Sequence, residues 1–398
     1  MRKHTSSKSS RKAPDGRAGR VSINPGKTSG RVPAAASDQS ADLIKLGVDT
    51  HAAQYTVGRM VDHGGMQPTQ SLSPEAFLRF VIKQQTLAKR VVMVYEAGPY
   101  GFSLYRQVTE LGVECLVCAP ERLSRGRKRV NDKIDARELL SRLDRYLAGN
   151  SAALRLVRPP SLEQEMSRRQ ARERNTYRKE RQRWMSRGRS LLHTLGISRP
   201  GPWWELDRYE QLSKLLSERY GAAVVQQVKA ELDHYLEFVH LATSKLGELT
   251  GALREAATKK KTPRIKGIGP LSSELLDREM GDWNRFANRR QVASYTGLCP
   301  GEDSSGDSRM MLSIDKHGNP RVRAVLVELA WLLPRFQPDY KPLARWKWVF
   351  DPKSKTSRAM RKKAVVALSR HLAVDLWRIH TGRARPQDLG LVLKRDAA

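Results

Sequence analysis

In the N-terminal part of the chain, the pattern of apolar and polar residues predicts short strands that alternate with helices. Four apolar runs have the length of β-strands, namely residues 43–48, 55–61, 90–95 and 113–118. A helix is expected after Ser73, with Pro74 in the first helical position, and further helices at residues 101–111 and 132–147. Strands that alternate with helices predict an α/β domain with a mixed sheet over residues 41–157.

A different, helical pattern begins after the pair Pro159-Pro160. An Arg-rich helix is expected over residues 162–195, and a second long helix after the break at residues 196–204. In the second helix apolar residues recur every seven positions in two series, which are Val225, Leu232, Val239, Leu246 and Leu253, and Val228, Tyr235, Ala242, Leu249 and Ala256. These heptads predict a coiled coil in a helical region over residues 158–258, whose partner is either the Arg-rich helix or another subunit.

The C-terminal region, residues 259–398, is predicted to be mainly helical, with helices at residues 288–295, 320–333 and 358–380. Near its start lies the motif Ile265-Lys-Gly-Ile-Gly-Pro-Leu271. The motif resembles a helix-hairpin-helix turn, in which backbone N–H groups approach a DNA phosphate. An ordinary helical turn explains it equally well. The predicted fold class is therefore α/β plus all-α.

The charge of the chain indicates an anionic partner. Its 398 residues include 73 Lys and Arg against 41 Asp and Glu, which gives a net charge of +32. Such an excess repels itself unless an anion neutralises it, and nucleic acids and membrane surfaces are the usual candidates. No apolar run approaches the roughly 18 to 20 residues that span a bilayer, and the basic start lacks the apolar stretch of a signal peptide. Nucleic acid is the favoured partner.

Residues 1–40 have the composition of a disordered basic tail. They are mainly Ser, Gly, Pro, Ala, Arg and Lys, with almost no large apolar side chains. Such a segment cannot offset the entropy that it would lose on ordering. We expect a solvated tail that makes at most weak, nonspecific contacts with DNA.

The cysteines carry little chemical signal. Cys115 and Cys118 form a C-x-x-C pair, a spacing that occurs in redox motifs and in halves of zinc sites. No second pair completes a zinc site, and both residues fall in a predicted buried strand, so a structural role is favoured. Free thiols without a secretory signal fit a reducing cytoplasm, which is the predicted location.

Four carboxylates stand at positions where a metal site can form. Asp49 ends the first predicted strand and Glu96 ends the third, while Asp132 and Asp135 share one face of a helix. An acidic residue that closes an apolar strand is costly unless it meets a cation or water. Mg²⁺ prefers oxygen ligands, and pairs of such ions catalyse phosphodiester cleavage. We expect the four to converge on Mg²⁺, although each alone is more typical of a turn or a solvated helix face.

The segments that carry these carboxylates resemble a known family. Gly47-Val-Asp49, Glu96-Ala-Gly-Pro-Tyr-Gly101 and Asn131-Asp-Lys-Ile-Asp-Ala136 are similar to the DEDD motif of the IS one-ten family of insertion-sequence transposases. Three later segments resemble the same family, namely Arg155-Leu-Val-Arg-Pro-Pro-Ser161, Ser294-Tyr-Thr-Gly-Leu-Cys-Pro300 and Ile314-Asp-Lys-His-Gly-Asn-Pro-Arg-Val-Arg323. The resemblance runs from about Leu43 to about Trp331. It implies a catalytic domain with a RuvC-like, RNase H-type fold, and an enzyme that transposes DNA.

The resemblance also implies a serine nucleophile. The family has a Ser-Gly pair in its C-terminal domain, and its serine attacks DNA and holds a covalent phosphoserine intermediate. Ser305, which precedes Gly306, matches that pattern, with Ser304 as the neighbouring alternative. Four cations follow that could stabilise a phosphate transition state, namely Arg309, Lys316, Arg321 and Arg323. From the residues alone, a Ser-Ser-Gly segment is ordinary turn composition, so the assignment depends on the resemblance.

The implied partners are DNA, a structured guide RNA encoded by the element, and further copies of the chain in a homo-oligomer. The Arg-rich helix, from Arg168 to Arg189, could contact RNA or the DNA backbone, with Trp184 stacking on a base or packing inside the protein. Two other functions remain open. One is a RuvC-type nuclease that hydrolyses branched DNA with water. The other is a non-enzymatic scaffold that binds nucleic acid.

Overall fold

The structure is a computed structural model that describes residues 40–120, 132–260, 264–305 and 308–394. The predicted basic tail lies outside this part of the chain except for Ser40. The chain forms two units. Within the described residues, the first contains 40–96, 107–116 and 132–154, and the second contains 97–106, 117–120, 155–260, 264–305 and 308–394. Among the described helices, none combines the length and hydrophobicity that a membrane span requires.

A five-stranded mixed sheet belongs mainly to the first unit. Its strands are β1 (Ala41–Thr50), β2 (Tyr55–Val61), β3 (Gln70–Leu72), β4 (Ala88–Glu96) and β5 (Glu114–Cys118). Their order is β3-β2-β1-β4-β5, with β1 antiparallel to β2 and parallel to β4. The predicted mixed sheet is confirmed. The three residues of β3 were not predicted, because so short a segment carries no readable alternation.

Three helices accompany the sheet, namely α1 (Pro74–Gln85), α2 (Ser103–Glu110) and α3 (Asp132–Leu147). The Ser73 hydroxyl accepts a hydrogen bond from the Ala76 backbone N–H at 3.3 Å, so Ser73 caps α1 as its sequence predicts. The bounds of α3 are those expected from the sequence. Its buried face consists of Ala136, Leu139, Leu140, Arg142 and Leu143.

The close contact between α3 and the sheet requires glycine. Gly47 of β1 pairs with Gly58 of β2. A Cβ atom on Gly47 would lie 2.4 Å from the backbone nitrogen of Leu140 and 2.5 Å from the carbonyl oxygen of Ala136. Both distances are far inside van der Waals contact, so only a residue without a side chain lets the helix backbone lie against the strand backbone here.

The face of β1 that meets α3 also carries a buried charge. Lys45, on the same face as Gly47, is buried, and its ammonium donates to the carboxylate of Asp144 at 2.6 Å and to the carbonyl of Asp62 at 2.7 Å. Asp144 lies one helical turn beyond Leu140. The ion pair therefore fixes the C-terminal end of α3 on the strand, and Gly47 fixes its middle.

The second unit begins with three helices, α4 (Leu162–Thr194), α5 (Leu206–Arg219) and α6 (Ala222–Lys259). The segment between α4 and α5 places Trp203 in the interior, where the indole N–H donates to the carbonyl of Met185 at 2.8 Å. Gly188 of α4 leaves the space for this ring, because a Cβ atom there would lie 2.1 Å from an indole carbon. The sequence showed the break after α4 but not α5.

α6 packs along α4 of the same chain. Five positions of the two predicted series are buried, namely Val228, Leu232, Val239, Ala242 and Leu253. Leu246 and Leu249 are only half-buried, and Ala257, outside both series, is buried. Trp184 of α4 stacks on Phe238 of α6 at 4.2 Å, so its ring packs within the helix pair.

The C-terminal part contains α7 (Pro270–Met280), α8 (Arg289–Thr296), α9 (Pro320–Phe336), α10 (Lys347–Phe350), α11 (Arg358–His380) and a hairpin of β6 (Pro300–Ser305) and β7 (Ser308–Ile314). Its apolar core includes Leu326, Leu329, Leu368 and Leu372 of α9 and α11. The three predicted helices of this region are present. Short α10 and the hairpin were not expected.

Buried Glu279 connects α7 with α4 and α9. The guanidinium of Arg172 donates to both of its carboxylate oxygens, at 2.9 and 3.0 Å, and the side chain of Asn319 donates to it at 2.9 Å. Asn319 also caps α9. Burial raises the pKa of Glu279, but the hydrogen bonds from Arg172 and Asn319 outweigh burial and hold that pKa below its ordinary value.

Some arginine side chains of the Arg-rich helix α4 therefore make contacts within the protein. Besides Arg172, the Arg168 side chain donates to the carbonyl of Arg278 at 3.0 Å, and that of Arg174 donates to the hydroxyl of Thr250 at 2.8 Å. These three arginines hold α4 against α7 and α6. They belong to the stretch from Arg168 to Arg189 for which the sequence suggests contact with RNA or the DNA backbone, and that suggestion stays a prediction.

Replacing Gly47 by alanine tests the contact between β1 and α3. The added methyl group meets helix backbone, which cannot rotate away, so we expect Gly47→Ala to lower the free energy of unfolding by about 1–3 kcal/mol. Gly58→Ala is the matched control, because its Cβ would lie 3.3 Å from a methyl group of Leu140 and 3.4 Å from the carbonyl oxygen of Ala136, both close to ordinary van der Waals contact. It should cost less than about 1 kcal/mol. Urea unfolding measures both, and equal costs would contradict the backbone contact.

Glu279→Gln tests the buried ion pair through its dependence on pH. Because the folded pKa is depressed, the stabilisation from Glu279 is present above the unfolded pKa of about 4.3 and is lost as pH falls through the lower folded value. At pH 7 the variant should lose about 1–3 kcal/mol of stability. This difference should shrink below pH 4. Exposed Glu173→Gln is the control, and a difference that stays constant down to pH 3 would contradict this account.

Candidate active site

The packing of α3 on β1 brings Asp49 and Asp132 together. Asp49 is the penultimate residue of β1 and lies on the same face as Gly47, two positions further along the strand. Asp132 is the first residue of α3 and lies one turn before Ala136, which contacts Gly47. Two residues along a strand and one turn along a helix cover similar distances. Both carboxylates consequently reach the same point.

His51 completes the cluster. It follows β1 in the turn to β2, and its Nε2 lies 3.1 Å from the Asp49 carboxylate and 3.6 Å from that of Asp132. One ligand atom from each of the three residues falls within 4.8 Å of the others. The His51 and Asp132 side chains are about half exposed, so solvent and ions can reach the group.

Asp135 belongs to the same electrostatic environment. Burial raises the pKa of its carboxyl above the ordinary value, and the negative charges of Asp49, Glu138 and Asp132 raise it further. The nearby His51 has the opposite effect. Crowded carboxylates that resist ionisation are stabilised by any cation that binds among them.

Glu96 has a different environment. It ends β4, next in register after the pair of Val48 and Tyr95, and so lies beside Asp49 on the neighbouring strand. Its carboxylate is 3.7 Å from the guanidinium of buried Arg142, which also donates to the carbonyl of Ala153 at 3.0 Å. Of the four predicted carboxylates, Asp49 and Asp132 belong to the group of described residues that could hold a metal ion, and the Glu96 carboxylate lies next to Arg142.

The donor atoms of this group are suitable for a divalent cation. Two carboxylates supply the oxygen ligands that Mg²⁺ and Mn²⁺ prefer, and an imidazole nitrogen is compatible with Mn²⁺ and other transition metals. The residues present therefore fit a metal ion, which Asp49 and Asp132 would hold.

Ser305 is the last residue of β6, where it pairs with Ser308 of β7, and Ser304 pairs with Arg309. The sequence suggested a polar loop at this point, and the structure instead places both serines in the strand of a hairpin. Gly306, the glycine of the Ser-Gly pair, lies outside the described residues.

Two of the four cations expected near the serine are used by the protein itself. The Arg323 guanidinium donates to the carbonyl of Thr296 at 3.0 Å, and Arg321 lies 3.9 Å from the carboxylate of Glu279. Lys316 has a backbone φ of 60°, in the left-handed region, at the turn before α9. Arg321 and Arg323 thus hold this turn in place.

The motifs at residues 294–300 and 314–323 contact each other in the structure. Gly297 and Gly318 approach so closely that a Cβ atom on Gly318 would lie 2.2 Å from the backbone nitrogen of Gly297. The Asn319 backbone N–H donates to the carbonyl of Tyr295 at 2.6 Å. The motifs around Tyr295 and Asn319 therefore form one packed turn beside the hairpin that carries Ser305.

Sequence reasoning missed His51 and Arg142. The spacing of Asp49 and His51 at the end of a strand could have indicated His51, whereas an arginine among the apolar positions of α3 gave no chemical signal. Cys115 and Cys118 lie in β5, as the sequence predicts, and neither forms a disulfide. Burial raises the pKa of Cys115 well above its usual range.

The amino-acid sequence of the chain is similar to those of known transposases. The sequence model of the transposase IS116/IS110/IS902 family matches residues 262–345. The chain is 33% identical over 308 residues to transposase y4rJ of Sinorhizobium fredii, which covers 72% of the chain and 76% of that protein. The chain belongs to the IS110 family of insertion-sequence transposases.

Other transposases of insertion sequences are more distant. The transposase for the element IS1111A of Coxiella burnetii is 25% identical over 286 residues, covering 70% of the chain and 74% of the relative. The transposase for IS1328 of Yersinia enterocolitica is 23% identical over 309 residues, covering 77% and 88%. The family match in this IS110-family chain includes the packed turn and the β6–β7 hairpin with Ser305.

Metal binding at the cluster can be measured as thermal stabilisation. A cation at about 100 times its Kd should stabilise the folded protein by about 2.7 kcal/mol. Asp49→Asn and Asp132→Asn should abolish this shift, because each removes a charged ligand. Asp42→Asn is the control, since its exposed carboxylate lies on the same strand and pairs with Lys89. A full shift with Mg²⁺ or Mn²⁺ in Asp49→Asn would place the ion elsewhere.

Proposed function

We propose that this transposase cleaves and rejoins DNA strands at the ends of its insertion sequence, with Mg²⁺ bound by Asp49 and Asp132 and with Ser305 as the nucleophile. Glu96 and Asp135 complete the proposed group of four carboxylates. The convergence of Asp49 and Asp132 on one point, which Gly47 makes sterically feasible, is the observation that supports this proposal most strongly.

Bound Mg²⁺ would supply positive charge to the oxygens of the scissile phosphate. The chain's own residues have separate tasks. Asp49 and Asp132 would hold the cation from a strand and a helix, and Asp135 lies close enough to influence them electrostatically. Arg142, which joins Glu96 to the carbonyl of Ala153, positions the end of β4. The His51 imidazole lies beside both aspartates.

In the proposed cleavage step, the Ser305 hydroxyl attacks the phosphorus of one DNA strand. A bond forms between its oxygen and phosphorus, the bond from phosphorus to the leaving deoxyribose oxygen breaks, and the serine proton passes to a base while the leaving oxygen gains a proton. The reverse attack by a deoxyribose hydroxyl of another strand rejoins DNA and frees the serine. Each phosphodiester is exchanged, so the sequence of steps needs no external energy source.

The proposed partners follow from charge and family. A net charge of +32 provides for many phosphate contacts. DNA is the substrate, and the resemblance implies a structured guide RNA that selects it. We also propose that the chain acts as a homo-oligomer, because exchange between two DNA ends requires more than one nucleophile.

A covalent protein–DNA adduct tests the nucleophile. Ser305→Ala should eliminate the adduct and the recombinant product, because the serine oxygen is the attacking atom. Ser304→Ala should be much milder, because the resemblance assigns the nucleophile to the serine that precedes glycine. The measurement is a denaturing gel with labelled DNA, read for a slow band that protease removes.

Two further results would decide between transposase chemistry and hydrolysis. Asp49→Asn should lose the adduct as completely as Ser305→Ala while DNA binding persists. Mg²⁺-dependent cleavage by the double variant Ser304→Ala, Ser305→Ala, without any adduct in the unmodified protein, would overturn the serine mechanism and favour a nuclease that uses water.

A further inference from the structure

A strongly basic segment with exposed aromatic rings follows α9 and has no role in the proposed chemistry. Residues 335–363 contain ten Lys and Arg and two Asp, a net charge of +8 and a quarter of the total excess. Together with Trp331 of α9, we call these residues the basic-aromatic surface. Most of them follow the 262–345 range of the family match.

The cations of this surface are not neutralised within the described part of the chain. None of the ten takes part in an ion pair there, and nine are exposed, namely Arg335, Lys341, Arg345, Lys347, Lys353, Lys355, Arg358, Lys362 and Lys363. The tenth, Arg361, has a buried Nε without a hydrogen-bond partner. Elsewhere in the unit, Arg172, Lys260 and Arg378 are paired with carboxylates. The cations of this surface are therefore available to bind external anions.

Its aromatic rings are also unusually exposed. The Trp348 side chain of α10 is 55% exposed and that of Trp331 is 46% exposed, whereas Trp203, Trp283 and Trp377 are buried. Trp331 packs edge-on against Phe350 at 6.4 Å, which places it next to α10. Large apolar rings that the fold leaves in solvent beside cations can stack on a ligand with a flat face.

The charged and aromatic groups lie on elements that contact one another. The 3-10 helix Lys341–Trp346 touches α10, and both touch α11. Buried Leu343 and Val349 anchor the first two elements in the core. The 3-10 helix, α10 and α11 thus form one packed platform, and Lys353 and Lys355 lie on the segment that joins α10 to α11.

We propose that the basic-aromatic surface binds single-stranded nucleic acid, with Trp348 stacked on an unpaired base and the surrounding cations contacting phosphates. In a duplex the base faces are already stacked on each other, so duplex DNA can use the cations but not the tryptophan. Single-stranded DNA and single-stranded RNA offer the same chemistry, and the experiment separates them. The inference is independent of the proposed metal and serine steps.

Binding of fluorescent 20-mers by the full chain tests the proposal. Anisotropy is measured in EDTA, so that failure of the metal or serine proposals leaves the result unaffected. The probes are single-stranded DNA, single-stranded RNA and duplex DNA of one mixed sequence. Trp348→Ala should weaken single-strand binding at least about fivefold, the lower limit for the loss of one stacked base. Trp348→Phe should retain most of the affinity, and duplex binding should change little.

Charge variants give a second, independent measurement. The triple variant Lys353→Gln, Arg358→Gln, Lys362→Gln should lower the salt slope of log K for single strands by about 2, as expected for three lost phosphate contacts. The control Lys89→Gln, Lys259→Gln, Arg385→Gln removes the same charge from residues that are paired with Asp42, Glu255 and Asp388. It should change the slope much less.

The binding measurements distinguish which nucleic acid is the ligand and whether the surface binds single strands. Weaker binding of both single strands supports the shared chemistry, and weaker binding of only one identifies that strand as the ligand. Unchanged affinity in Trp348→Ala, equal losses for duplex and single strands, or equal slopes in the two triple variants would overturn the proposal. Circular dichroism and melting temperature confirm that each variant is folded.

Discussion

The candidate metal site depends on one steric constraint, the direct contact of α3 with the backbone of β1 at Gly47. This contact sets the distance between strand and helix, and the buried pair of Lys45 and Asp144 sets the position of the helix along the strand. Asp49 and Asp132 lie at the other end of the same strand–helix contact. Their convergence is therefore built into the fold of the first unit, and the like charges that crowd there are held together by packing.

The Lys and Arg residues behind the net charge of +32 have different roles in the structure. Some of the arginines pair with buried carboxylates, as Arg172 does with Glu279, and this pair joins helices that are distant in sequence. Others, such as Arg323, hold turns by donating to carbonyl groups. The cations of residues 335–363 have no such internal use in the described part of the chain, and they remain available for a polyanion.

Local patterns predicted much of the fold. The strands around Leu46 and Val94, the capped helix after Ser73 and the bounds of α3 follow from apolar periodicity and helix-start signals, which are properties of neighbouring residues. β3 and α10 were missed because three or four residues carry no period. The β6–β7 hairpin was missed because its serines have the composition of a loop, and only pairing between the strands defines it.

The candidate site could be predicted in its composition but not in its detail. The order of Asp49, Glu96, Asp132 and Asp135 indicated an acidic cluster, since strand ends and helix starts are readable. The packing of α3 on the sheet determines two details that the sequence does not show. His51 lies close to both Asp49 and Asp132, and Arg142 lies next to Glu96. The packing of Gly297 against Gly318 likewise joins two motifs that are separate in sequence.

Anomalous diffraction from crystals grown with Mn²⁺ tests the central claim most directly, because it locates the ion and its ligands together. The account predicts an anomalous peak within coordination distance of carboxylate oxygens from both Asp49 and Asp132, with α3 in contact with Gly47. A well-occupied peak that lies away from these two residues, or one that Asp49 alone coordinates while Asp132 points elsewhere, would contradict it.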